Sequence, residues 1–182
     1  MNVRKSTFWV AQTGIFLALL VALQWATSSM STFVTGSIVN LILVLSVMLC
    51  GLWSGVTVAA LSPVFAVMFN IMPRWELAPF VMIGNVAFVA IWFFIGNLKT
   101  KEQAYQHLMK NMTALILAAA VKFMILWLGI VHFVAPVILN IPAGMAVYFN
   151  FSWPQLVTAI IGGLIAIAVT PVINSAIGKS RV

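Results

Sequence analysis

Residues 112 to 135 read MTALILAAAVKFMILWLGIVHFVA, an apolar stretch with one formal charge, Lys122. A helix needs about 20 predominantly apolar residues to cross the hydrocarbon core of a bilayer, so this stretch predicts a membrane span with an ionisable group inside it. Five more apolar runs accompany it. The expected spans are 8 to 27, 34 to 52, 53 to 72, 78 to 97, 112 to 135 and 153 to 174. Apolar residues make up 64% of the chain and charged residues 6%, against roughly 25% charged in a soluble domain. No water-soluble core absorbs that much Leu, Val, Ile and Phe. The expectation is an all-α membrane protein, a single integral domain over 1 to 182 with six transmembrane helices in a compact bundle.

The net charge of +7 does not mark a nucleic-acid binder, because that footprint requires Lys and Arg clustered on a solvated face. Orientation accounts for it better. Arg4 and Lys5 precede the first span, Lys99, Lys101 and Lys110 fill the fourth gap, and Lys179 and Arg181 follow the sixth. With both termini cytoplasmic, these seven of the nine basic residues fall on one face, as the positive-inside rule requires. Arg4 and Lys5 before an apolar run also imitate a secretory signal, but the run is of span length and five further spans follow it. Cys50 is the only cysteine, which excludes an intramolecular disulfide framework and any multi-cysteine metal site.

The connections expected outside, 27 to 36, 70 to 80 and 136 to 154, carry prolines at 73, 79, 136, 142 and 154. Such punctuation implies fixed non-helical backbone, which survives near membrane depth only where protein or a cavity shields it. A lid over a pocket and plain connecting loops are both open readings. Residues 98 to 111, LKTKEQAYQHLMKN, read as a solvated helical linker on the cytoplasmic side.

Ala18, Ala22 and Ala26 lie on one face of the first span, because four-residue spacing aligns side chains on a helix. Small residues at that spacing let another helix approach closely, either within this bundle or from another subunit. The last span repeats the pattern with Ala159 and Gly163, and with Gly162 and Ala166.

Lys122 is the most unusual residue. An ionisable group at that depth is costly and faces the bundle interior or a cavity. No Asp exists in the chain, Glu102 belongs to the cytoplasmic linker and Glu76 to an outer connection. Helix side chains lean toward their own N-terminus, so the ammonium is expected to point cytoplasmically unless a pocket draws it outward. A hydrogen bond to backbone carbonyls, snorkelling to the inner interface and attraction of an acidic ligand are three open readings. Gln24, Asn40, Asn70, Asn85, His132, Gln155 and Thr158 add polar groups to the outer halves of the spans, and buried amides demand partners. Trp75, Trp153 and Tyr148 are candidate aromatic walls or interfacial anchors. His132 has no second histidine on its side, so no metal site is expected.

Catalysis finds no support. Paired carboxylates are absent, as are GxSxG and HExxH arrangements. There is no phosphate-binding GxxxxGK[ST] loop, so any ATP-driven step belongs to another subunit. No enzymatic activity and no cofactor are expected.

The chain resembles, across essentially its whole length, the substrate-specific S component of an energy-coupling factor (ECF) vitamin transporter, most of all the pantothenate-type group. The features that carry this are the six spans, the AxxxA stripe Ala18 to Ala22, and the segments TGSIVN (35 to 40), LSPVFAVMFNIMPRWELAPFVMIGN (61 to 85), AAAVKFMILW (118 to 127) and FSWPQLVTAIIGG (151 to 163). The resemblance implies a multi-pass protein of the prokaryotic plasma membrane. It implies a protein that binds a small water-soluble vitamin and docks on a transmembrane coupling protein with two ATPase subunits. It further implies that Ala18 and Ala22 touch the coupling protein, that Trp75, Asn85, Lys122 and Gln155 are substrate-binding candidates, and that Asn40, Asn70 and Asn150 follow them. Changes in the coupling module would then tip the loaded protein and carry its pocket inward.

Arg74 and Lys122 are the only basic residues expected away from the cytoplasm, which favours an anionic or neutral ligand. Pantothenate would give either of them a carboxylate partner. If Arg74 instead pairs with Glu76, a neutral pocket favours pyridoxine or hydroxymethylpyrimidine. A different class of reading is a stand-alone facilitator or a scaffold. A facilitator is expected to show repeated halves or paired broken helices, and no convincing repeat is present.

Overall fold

The computed structural model describes residues 3–72, 74–96, 98, 104–142 and 146–179. Seven α-helices and no strand occur among them: α1 (Val3–Ala26), α2 (Thr32–Cys50), α3 (Leu52–Met68), α4 (Ala78–Gly96), α5 (Ala104–Leu126), the short α6 (Ala146–Asn150) and α7 (Trp153–Lys179). A single 3-10 turn, Trp75–Leu77, leads into α4, and a π-helix, Trp127–Ile138, extends α5. Five of the helices are long and apolar enough to cross a membrane. α3, with 17 residues, is about 25 Å long at 1.5 Å per residue, and falls short of that length. Lys99, Lys101, Glu102 and Arg181 lie outside the described residues.

Several boundaries depart from the expected spans, each for a local reason. α1 begins at Val3 instead of residue 8, so it incorporates Arg4 and Lys5, which are good helix formers. α3 ends four residues before the expected 72. Asn70 takes φ 57°, Asn70 N donates to Val67 O (3.0 Å), and Ile71 N donates to Ala66 O (2.8 Å). These two bonds form a Schellman cap with Asn in the left-handed position. The expected linker is in part the start of α5, since helix is continuous from Ala104. The fifth span runs past Pro136 instead of stopping at 135. Proline lacks an N–H and its ring meets the carbonyl four residues back in an α-helix, and the wider π turn carries the chain past it. Leu139 N there donates to Val134 O at 2.9 Å, and His132 stands edge-on to Trp127, ring centroids 4.3 Å apart. The sixth expected span, α7, continues beyond 174 to Lys179.

The tightest junction joins α2 to α7, the most extensive pairing in the bundle. A Cβ added at Gly162 would lie 2.5 Å from Ser37 O and 2.7 Å from Leu41 N, so the two backbones meet with no side chain between them. Ala159 and Ala166 of the same helix are fully buried. The small residues of α7 therefore serve internal packing. Those of α1 do not, because Ala18, Ala22 and Ala26 are all exposed and a Cβ at Gly14 would meet nothing within 4 Å.

The main core, built around Leu43, Val58, Phe88, Trp92 and Leu115, runs along the bundle axis. A second cluster, including Ala66, Leu77, Leu126, Ile130 and Val134, ties the connection after α3 to the π segment. That cluster, with Ile71, Leu139, Val147 and Phe151 packed against it, holds one end of the bundle in register.

Gly162→Val is expected to lower unfolding free energy in detergent by about 1–3 kcal/mol, or to prevent folding, through overpacking. Gly14→Ala should leave stability equal or raise it by up to about 1 kcal/mol. Equal losses in a denaturant titration followed by circular dichroism contradict this account.

Candidate functional site: a polar cavity at one end of the bundle

The cavity at that end has a volume of about 210 Å³. Its floor is Lys122, only 3% exposed. Lys122 Nζ donates to Asn40 Oδ1 at 2.6 Å, and the Phe88 ring centroid lies 5.3 Å from the same nitrogen, in cation–π range. Asn40 Nδ2 donates to Gly36 O (2.9 Å) and to Thr158 Oγ1 (3.3 Å). Thr158 in turn donates to Gln155 O at 3.2 Å. An ammonium can only donate and a carbonyl only accept, so the Asn40 amide has one orientation. Gly36 O belongs to the same helix as Asn40, and the close crossing of α2 and α7 supplies Thr158. Of the readings open for Lys122, the structure draws it toward the cavity. Its hydrogen bond runs to a side chain on α2, not to backbone carbonyls.

A second chain of bonds begins at Pro63. Inside α3 it leaves the carbonyl of Ala59 without its usual N–H. Ser62 Oγ donates to that carbonyl at 3.2 Å, a side-chain replacement for the missing bond. Having spent its hydrogen, Ser62 can only accept, and Asn85 Nδ2 donates to it at 3.1 Å. The Asn85 amide oxygen is thereby turned away from Ser62, and it has no partner although Asn85 is 1% exposed. Gln24 Oε1 is likewise buried without a partner. Both residues line the cavity.

Asn150 and Gln155 close the wall on the α6–α7 side. Thr32 Oγ1 donates to Asn150 Oδ1 (3.1 Å), and Gln155 Nε2 donates to Asn150 O (2.8 Å). These bonds bind the start of α2 to the connection before α7. Tyr148, a candidate aromatic wall, instead donates its hydroxyl to Ile141 O at 2.9 Å. Ser28 and Met30 from the first connection and Ile71 and Met72 from the second complete the rim.

Five of the eight substrate-site candidates thus meet at one cavity: Asn40, Asn85, Lys122, Asn150 and Gln155. Trp75, Arg74 and Asn70 are not among its lining residues. Arg74 and Trp75 are exposed at the 3-10 turn, and Asn70 is exposed in the helix cap. Trp153 packs on Phe33 and Phe149. Among the described residues, no aromatic side chain and no carboxylate lines the cavity. Ser62 was not singled out in the sequence, although a hydroxyl directly before an intrahelical proline was a readable signal. Among the described residues no group of His, Cys, Asp or Glu stands together as metal ligands.

Comparison with protein-family models, with curated proteins and with solved structures finds no match. The fold and site define an all-helical protein with several helices of membrane-spanning length and apolarity, enclosing a polar, lysine-bearing cavity at one end.

Asn40→Leu is expected to destabilise the protein more than Lys122→Met. The first strands a buried charge, at about 3–5 kcal/mol; the second strands a neutral amide oxygen, at about 1–3 kcal/mol. The double variant should recover part of the Asn40→Leu loss. Additive losses in thermal unfolding would show that the two residues do not act as a pair.

Proposed function

We propose that this chain is the substrate-binding S component of an ECF-type ABC importer. In this reading it lies in a prokaryotic plasma membrane with six spans, α3 counted among them, and both termini cytoplasmic. The cavity faces outward and captures pantothenate. Partner ATPase subunits supply the hydrolysis, through a transmembrane coupling protein.

The observation that carries the ligand reading is a buried lysine in a cavity whose lining, among the described residues, includes no carboxylate and no aromatic ring. A ligand carboxylate supplies the missing counter-charge. A planar vitamin such as pyridoxine or hydroxymethylpyrimidine gains most from stacking on aromatic side chains, and this wall offers none. The aliphatic acid is therefore preferred to the ring compounds. Lys122 has three N–H donors, one of which goes to Asn40, so it can meet a carboxylate without breaking that bond. The outward-facing small residues of α1 support the docking part of the reading. They leave a smooth face on a helix whose opposite side packs on α2 and α3.

Purified protein should bind labelled pantothenate one-to-one, and Lys122→Met should weaken that binding about 10- to 100-fold, the worth of a charge-assisted bond, while circular dichroism stays unchanged. Unchanged affinity returns Lys122 to a structural role. Vesicles holding this chain alone should not accumulate the vitamin, and uptake should require the coupling protein and ATPases. Transport by the chain alone would sink the importer reading.

Ala18→Leu with Ala22→Leu should abolish copurification with the coupling protein and leave vitamin affinity within about twofold, since bulk at a small-residue face blocks close helix approach. Retained copurification would remove this face from the interface.

A further inference from the structure

Two acceptor oxygens, Asn85 Oδ1 and Gln24 Oε1, are buried on the cavity wall without partners. Asn85 is 1% and Gln24 8% exposed. For Asn85 the orientation is forced. Ser62 has given its hydrogen to Ala59 O, so only the amide nitrogen can face it, and the oxygen is left with nothing to accept. A buried polar atom without a partner is destabilising, and native proteins keep few of them. The same wall presents Lys122 as a donor. The hydroxyls around the rim do not answer the two oxygens: Ser28 donates to Trp25 O (2.7 Å) and Thr35 to Thr27 O (2.7 Å).

We propose that Asn85 and Gln24 are specificity-determining residues that read hydroxyl or amide N–H groups of the ligand, while Lys122 takes its acidic group. The cavity thus selects a small hydroxylated acid over an acid of the same shape without hydroxyls. This rests on the cavity being the ligand site of the preceding section, and adds which ligand atoms it distinguishes. A site built to bond a hydroxyl discriminates strongly against the analogue lacking it, because its own buried groups are then left unpaired. A wall that merely excluded water would not discriminate in this way.

The test compares pantothenate with N-(3,3-dimethylbutanoyl)-β-alanine, which keeps the carboxylate, the amide and the carbon skeleton and lacks both hydroxyls. Binding is measured by calorimetry on the full chain in detergent. The wild-type protein should bind the dehydroxylated analogue about 10- to 100-fold more weakly, the fold-change that one unpaired buried acceptor implies. Asn85→Leu and, separately, Gln24→Leu should each reduce pantothenate affinity while leaving the analogue within about twofold. The wild-type comparison does not depend on either variant folding. Equal binding of the two compounds by the wild-type chain overturns this inference and leaves the importer reading standing. No binding of pantothenate by the folded chain overturns both. Weak binding of the analogue by the wild-type chain, with no narrowing of the gap in either folded variant, overturns the assignment to these two residues.

Discussion

The hydrogen bond from Lys122 to Asn40 is the contact around which the bundle is organised. An ammonium cannot be left unpaired among apolar helices, and with no carboxylate on the cavity wall among the described residues the protein answers it with an amide. That amide is held at its other end by Gly36 of its own helix and by Thr158, and the bond to Thr158 requires α2 and α7 to lie close together. Gly162 makes the approach sterically possible. A charge on α5 thus sets the spacing of two other helices, and the opening beside it becomes the cavity.

Pro63 has an effect of a similar kind. A proline within a helix is usually described by the bond it removes, yet here the lost bond has a consequence two residues away in space. The freed carbonyl takes up the hydrogen of Ser62, and this turns the Asn85 amide so that its nitrogen meets Ser62 and its oxygen is left without a partner. In water such a chain would be of little account, since solvent would satisfy every member. In an apolar bundle no solvent satisfies such groups, so one backbone irregularity determines which polar atom of the cavity lining is left unpaired.

The two small-residue patterns show how identical spacing serves different ends. On α7 the pattern is inside, and glycine lets two backbones touch. On α1 the pattern is outside, among exposed apolar side chains such as Ile15, Leu19 and Trp25. Spacing alone states that a face is smooth; which element covers it depends on how the helices are arranged around the axis.

Hydropathy alone made the helical architecture, the approximate spans and the singular position of Lys122 readable, because a long apolar run with one charge has few physical solutions. Gln24, Asn40, Asn85 and Gln155 were readable as span amides in search of partners for the same reason, whereas Asn150 entered only through the resemblance. Trp75, Arg74 and Asn70 were not distinguishable from them, since residue type and approximate depth do not reveal that a chain segment turns outward at a 3-10 turn or ends in a left-handed cap. The sequence by itself determined that polar groups would be buried in apolar helices and must pair. Only the tertiary structure decided which group answers which, because each pairing is made between helices distant in sequence, and a hydrogen bond depends on an orientation that only their packing sets.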